Sequence, residues 1–137
     1  MELVRDTFIL IAEDCPVATG AVPLPRGEKP TVAALEYTFL AAAPYTLTHR
    51  ELVLRVEARR RGLPDDLAPD EKAALEAELF AKPRACMRAS PLPKSYGWGV
   101  HHDGEGRIGL AAAGSPEYAR LAAAAPVVVK AMRSKRA

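Results

Sequence analysis

Prolines divide this chain of 137 residues into many short segments. Proline lacks a backbone N–H and has a fixed φ angle, so it starts or ends helices and is excluded from central strands. The elements of this fold are therefore expected to begin or end at prolines. The prolines that mark predicted boundaries are Pro16, Pro44, Pro69, Pro83, Pro116 and Pro126.

The apolar periodicity and the capping residues between these prolines predict four helices and several strands. Thr31 suits an N-cap, and Thr48 with Glu51 has the capping-box pattern, in which two side chains satisfy backbone N–H groups reciprocally. The predicted helices lie near residues 31–42, 48–61, 69–80 and 115–124, and the predicted strands near 7–12, 97–102, 107–112 and 127–129.

The first strand, Thr7–Ala12, is apolar on both faces, which is typical of a strand inside a sheet. The two strands around the turn at residues 103–106 are expected to form a β-hairpin. Helices and strands are segregated along the chain, which favours the α+β class. We expect one domain over residues 1–137, with a small antiparallel or mixed sheet that contains the hairpin and packs against about four helices.

The composition excludes several classes of protein. Hydrophobic residues make up 49% of the chain, charged residues 26%, and the net charge is +2, as in an ordinary globular protein. No apolar run approaches the about 20 residues of a membrane span, and no export signal is recognisable, so we expect a cytoplasmic protein without a membrane partner. Cys15 and Cys86 form no disulfide framework and are expected to be reduced thiols.

Chemically versatile residues are concentrated between Lys82 and Asp103, a segment with the only Trp and two of the three His of the chain. Guanidinium and ammonium groups bind anions, and glycines beside Trp98 would let a flat ligand approach its ring. The leading hypothesis is a ligand-binding module for a small anionic or planar molecule. Its predicted pocket residues are Arg88, Ser90, Lys94, Trp98 and His101.

Structural roles compete with this hypothesis. Arg88 is equally suited to cap a helix or to pair with Asp14, and Trp98 to fill the core at a tight β crossing. An enzyme that uses His101 as acid or base is a second hypothesis. Cys86 would be its nucleophile in one version, but the apolar neighbours of this thiol favour a buried, inert residue.

No metal or cofactor is expected. His101 and His102 are adjacent on a predicted strand and point to opposite faces, so they are poorly placed to chelate one ion. The other candidate ligands, His49, Cys15 and Cys86, lack the spacing of metal sites. Phosphate-loop and dinucleotide signatures are absent from the sequence.

Nucleic-acid association through Arg59–Arg61 and the basic residues of Lys130–Ala137 is a third hypothesis. Cations at the end of a helix are also stabilised by its dipole, which needs no partner. The third predicted helix is acidic and would be repelled by phosphates, so a nucleic-acid partner is not expected. The pattern indicates no particular oligomeric state.

Several short motifs are distinctive in combination and cover nearly the whole chain. They resemble a family of small bacterial proteins of about this length that is known as a domain of unknown function. The resemblance implies one domain and no established activity, and it supplies no catalytic residue. Its motifs are Asp14-Cys15-Pro16, Arg88-Ala89-Ser90-Pro91-Leu92, Lys94, Tyr96-Gly97-Trp98-Gly99-Val100-His101 and Ala131-Met132-Arg133-Ser134.

Overall fold

The computed structural model describes residues 3–24, 27 and 29–134. That part of the chain forms five α-helices and a four-stranded mixed sheet, which confirms the predicted α+β class. In chain order the elements are β1 (Thr7–Leu10), α1 (Val32–Ala42), α2 (His49–Arg60), α3 (Pro69–Leu79), α4 (Pro91–Ser95), β2 (Trp98–His102), β3 (Ile108–Ala112), α5 (Pro116–Ala124) and β4 (Val127–Lys130).

The helix starts follow from local side-chain chemistry. The hydroxyl of Thr31 accepts a hydrogen bond from the Ala34 N–H at 3.1 Å, and α1 begins directly after it. Thr48 and Glu51 form the predicted capping box at the start of α2. Each cap satisfies a backbone donor that has no partner inside the helix, so these helices begin where the sequence predicts.

The strand order is β3-β2-β1-β4, with β2 antiparallel to both β1 and β3, and β4 parallel to β1. The predicted hairpin is β2–β3, and its turn is closed by Asp103, whose Oδ1 accepts from the Glu105 and Arg107 N–H groups at 2.9 Å each. Strand β1 lies inside the sheet, with Phe8 and Ile9 buried on opposite faces.

Helices cover both faces of the sheet. On one face Ile9, Val100 and Ile108 pack with α1, α2 and α4 in the main core. On the other face Phe8 packs with Leu121 of α5. Helix α3 packs on α2 in a separate apolar cluster. No helix of the described residues is long and apolar enough to cross a membrane.

Helix α4 was not among the predicted helices, because the proline run at 91–93 resembles a break in the chain. Ser90 caps this helix by accepting a hydrogen bond from the Leu92 N–H at 3.2 Å. Proline is compatible with a first helical turn, where its missing N–H needs no partner. The Pro93 carbonyl then accepts from the Ala12 N–H at 2.9 Å, which joins α4 to the chain just after β1.

Candidate functional site

A cavity of about 410 Å³ lies between α1, α2 and the segment formed by residues 83–91. Apolar side chains line part of its wall, including Val32, Val53 and Val56. Ligand pockets for small molecules usually measure roughly 300–1,000 Å³ and combine such apolar walls with a few polar groups. The polar residues of the lining are Glu36, His49, Glu57, Arg60, Arg84, Cys86 and Ser90.

A second cavity of about 610 Å³ shares His49, Pro83, Arg84 and Cys86 with the first. The two cavities are therefore neighbours along the segment 83–86. Lys82 and Arg84 line the second cavity, and no acidic residue of the described chain contributes to its lining. This second cavity is the cationic part of the site.

Glu36 lies on α1, and its side chain is buried, with the residue 8% exposed. The Ser90 hydroxyl donates a hydrogen bond to Glu36 Oε1 at 2.8 Å. Within the described residues, no basic side chain forms an ion pair with this carboxylate. Burial raises the pKa of Glu36 to about 7, against a smaller lowering effect of the Ser90 hydrogen bond. Burial therefore favours the protonated, neutral form of this carboxyl group.

His49 begins α2 and lines both cavities. Burial lowers its pKa to about 4, and the positive charges of His102 and Arg84 act in the same direction. The ring is consequently neutral at pH 7. A neutral imidazole offers one donor and one acceptor nitrogen, so His49 adds hydrogen-bonding capacity without charge.

His102 lies on β2 and is 1% exposed. In the part of the chain that the structure describes, neither ring nitrogen makes a hydrogen bond of ordinary geometry. Burial lowers the pKa of His102 to about 4, against a smaller raising effect of the Gly106 backbone. Burial thus favours the uncharged forms of both His49 and His102.

Cys86 is exposed and lines both cavities, so the prediction that this thiol is buried is wrong. The prediction relied on the apolar neighbours of Cys86. In the short 3₁₀ helix Met87–Ala89 that follows, only Met87 is buried in the core. Cys15 and Cys86 are both free thiols in the structure. His101, the proposed base beside this thiol, lines neither of these cavities.

The five predicted pocket residues are distributed over the molecule. Ser90 lines the 410 Å³ cavity, and the other four line neither of the two cavities. Arg88 is exposed, and its Nε donates to the Lys130 carbonyl at 2.7 Å, which ties the segment 83–91 to β4. Lys94 lies in α4 and is half-buried.

Trp98 and His101 lie on opposite faces of β2. The Trp98 indole N–H donates to the Ala21 carbonyl at 2.8 Å, and its ring packs closely against Gly20, where a Cβ atom would be 2.7 Å from the ring. It therefore holds the loop that precedes α1 against the sheet. His101 Nδ1 lies 2.9 Å from the Tyr45 hydroxyl, over the face that α5 covers.

The arginines at the end of α2 are engaged in exposed ion pairs. Each of the three guanidinium groups has a carboxylate within salt-bridge distance. The pairs are Arg59 with Asp65 at 2.8 Å, Arg60 with Glu57 at 3.3 Å and Arg61 with Glu78 at 2.8 Å. Near the C-terminus Lys130 pairs with Glu13 at 2.6 Å, while Lys135 and Arg136 of the basic tail lie outside the described residues.

Glu36 and His49 were missed as site residues. A signal for Glu36 was present, because it follows Val32 by four residues and precedes Leu40 by four, on the buried side of α1. A carboxylate at such a position is rarely buried without a function or a partner. His49 carried no comparable signal, since the start of a helix is usually exposed.

Comparison with known proteins yields one match. A model of a family described as a family of unknown function (DUF6157) matches residues 3–137 and so includes every residue of both cavities. No curated protein and no solved structure matches the chain. The match confirms the resemblance to a domain of unknown function that the sequence motifs indicate.

Proposed function

The chain belongs to this family of unknown function, and we propose that it is a binding module for a small anionic molecule held beside the segment 83–86. One observation carries this proposal. Lys82 and Arg84 line the 610 Å³ cavity without an acidic residue in the described lining. Among the described residues neither cation forms an ion pair, and the Arg84 guanidinium makes only a 3.5 Å contact with the Leu79 carbonyl.

Two uncommitted cations at one cavity suit an anion. A guanidinium group binds a carboxylate or phosphate through two parallel hydrogen bonds, and a neighbouring ammonium group adds a point charge. The neutral ring of His49, which lines the same cavity, supplies a further hydrogen bond without repelling or attracting charge. The cavity volume is also within the usual range for small ligands.

The predicted pocket residues differ in whether they take part in the proposed site. Ser90 is part of the neighbouring 410 Å³ cavity, whereas Arg88 is already bonded to the Lys130 carbonyl. Arg84 takes the anion-binding role that the sequence assigned to Arg88. The Trp98 ring already packs against Gly20 and Tyr37 of the protein. The proposal therefore keeps the anionic ligand and not the planar ligand stacked on Trp98.

Arg84→Gln and Arg88→Gln provide a matched test, because both arginines are exposed on the same segment and only Arg84 lines the cavities. Thermal unfolding is followed with increasing inorganic phosphate or succinate at constant ionic strength. We expect both anions to stabilise the wild type and Arg88→Gln. We expect Arg84→Gln to bind at least about tenfold more weakly, as a lost charged hydrogen bond of about 1.5–3 kcal/mol implies.

Two results would overturn the proposal. Equal stabilisation of all three proteins would mean that the anions act by general exclusion from the protein surface. A loss confined to Arg88→Gln would move the anion site to the predicted pocket around Arg88 and Lys94.

The other two hypotheses have less support. For an enzyme that uses His101 as acid or base, the supporting contact is the Tyr45 hydroxyl at 2.9 Å. For nucleic-acid binding, Arg59–Arg61 would have to exchange their carboxylate partners for phosphates.

A further inference from the structure

We propose that the ligand is zwitterionic, with its anionic group at Lys82 and Arg84 and an ammonium group paired with the Glu36 carboxylate. This inference rests on the proposed function and adds the chemical class of the ligand. It comes from a separate observation, the placement of a buried carboxyl group in the wall of the 410 Å³ cavity without an ion pair to any described cation.

A buried carboxyl group stays ionised only when hydrogen bonds and opposite charge replace the water it loses, and otherwise its pKa rises. Ser90 supplies one hydrogen bond to Oε1, and no donor among the described residues reaches the second oxygen, Oε2. An ammonium group carries one positive charge and three donors. A ligand amine in the cavity would therefore supply a positive charge and hydrogen-bond donors to Glu36. Among the described residues, the Ser90 hydroxyl alone donates to this side chain.

The other charged and titratable groups of the lining do not replace such an amine. From α2, Arg60 is paired with Glu57 at 3.3 Å, and His49 is neutral because burial lowers its pKa to about 4. From the segment 83–91, Arg84 and the Cys86 thiol line both cavities. Among the described residues, the lining beside Lys82 thus carries positive charge without an acidic neighbour, and Glu36 offers a carboxyl group without an ion pair.

The wall of the cavity that holds Glu36 is partly apolar. Val32, Val53, Val56 and Pro91 line the cavity that holds Glu36. Methylene groups pack favourably against such side chains, because burial removes their apolar surface from water. An amine and an acid joined by a short aliphatic chain, as in an ω-amino carboxylate, fit this arrangement.

The experiment measures dissociation constants for ω-amino carboxylates of increasing chain length. Each is compared with the straight-chain carboxylate that lacks the amine and with the corresponding alkylamine. At a pH above 7 we expect the best amino carboxylate to bind about tenfold tighter than its matched carboxylate, since one desolvated charge pair is added. The preference should grow as the pH rises through 7, because only the ionised Glu36 pairs with an ammonium group.

Glu36→Gln should abolish this preference for the amine, while the plain carboxylates should still bind in an Arg84-dependent manner. The amide keeps the side-chain volume and an oxygen for the Ser90 hydroxyl, and circular dichroism confirms that the variant folds. Glu57→Gln is the matched control, because Glu57 lines the same cavity but is paired with Arg60. It should retain the preference for the amine.

The outcomes separate this inference from the proposed function. If plain carboxylates bind in an Arg84-dependent manner and the amine adds nothing, the zwitterionic ligand is wrong and the anion site stands. The same conclusion follows if Glu36→Gln keeps the preference. If no carboxylate binds, or if Arg84→Gln binds carboxylates as the wild type does, the proposed function fails as well.

Discussion

The buried ionisable side chains of the molecule and the exposed arginines at the end of α2 differ in how their charges are accommodated. Glu36 and the nearby pair His49 and His102 are largely removed from water and lack partners of opposite charge in the described chain. Arg59–Arg61 are exposed, and each pairs with a carboxylate.

This comparison indicates which ionisable groups should determine the pH dependence of stability and the choice of ligand. Removing a charged group from water is costly, so burial shifts the pKa values of Glu36, His49 and His102 toward their neutral forms. An exposed ion pair exchanges water for a partner of similar value and contributes about 0–1 kcal/mol. The buried groups should therefore control pH dependence and ligand choice, while the arginine cluster should influence neither strongly.

The largest expected effect is a loss of folding stability at acid pH, caused by protonation of the two buried histidines. Their folded-state pKa values lie at about 4, below the ordinary value of 6.5. The unfolded chain therefore takes up protons first, so stability is fully present above pH 6.5 and is lost as the pH falls towards 4. His102 alone should contribute a loss of about 3 kcal/mol, at about 1.4 kcal/mol for each pKa unit. His49 should add a loss in the same direction.

Urea unfolding of the wild type and His102→Leu between pH 7 and pH 4 measures this contribution. We expect the wild type to lose about 3 kcal/mol more than the variant over that range. Parallel stability curves would show that the His102 ring titrates normally in the folded protein.

Glu36→Gln should give the next largest effect, with the opposite dependence on pH. The folded-state pKa of Glu36 is about 7, above the ordinary value of 4.5. The neutral form is favoured by folding, so the stability it contributes is present below pH 4.5 and lost as the pH rises through 7. Above pH 7 the variant should gain up to about 3 kcal/mol on the wild type.

The same denaturation series, extended from pH 5 to pH 9, tests this expectation. The difference in unfolding free energy between Glu36→Gln and the wild type should increase steadily up to about pH 7 and then level off. A constant difference across the series would mean that the carboxyl group is solvated in the folded state.

Ser90→Ala should have an intermediate effect. The hydroxyl caps α4 and donates to Glu36, so its removal should cost roughly 2 kcal/mol at pH 7. Ser115→Ala is the control, because Ser115 caps α5 through the Tyr118 N–H at 3.1 Å and has no buried carboxylate to support. It should cost about 1 kcal/mol. Equal losses in urea unfolding would show that the bond to Glu36 adds nothing to the cap.

Asp65→Asn should have the smallest effect. Asp65 accepts two hydrogen bonds from the Arg59 guanidinium, at 2.8 and 3.0 Å, but both side chains are substantially exposed. The loss should stay below about 1 kcal/mol and should shrink further in high salt. A loss as large as that of Ser90→Ala would mean that the exposed ion pairs support the fold as strongly as the buried groups do.

The elements themselves were largely predictable. The starts of α1 and α2 depend on Thr31 and on the pair Thr48 and Glu51, which act within four residues of each other. The interior position of β1 followed from apolar residues on both of its faces. Helix α4 was missed because the same proline signals both the end of a segment and the first turn of a helix.

The candidate site was predictable only in part. Local chemistry indicated a region that contributes to a cavity, since Ser90 and the segment 83–91 form one side of the 410 Å³ cavity. It also favoured Arg88 over Arg84, because nothing in the sequence shows that the Lys130 carbonyl, 42 residues away, accepts from Arg88. The prominent Trp98 and His101 make their contacts elsewhere.

Capping, turn chemistry and apolar periodicity act between neighbours in the chain, and they are sufficient for the class of fold and for most element boundaries. The cavity and the state of its charges depend on three distant segments meeting, namely α1, α2 and residues 83–91. Burial changes the free energy of ionisation, and burial exists only after those segments pack. In the sequence Glu36 looks like any other acidic residue. In the folded protein its carboxyl group is buried, forms no ion pair among the described residues and has a raised pKa.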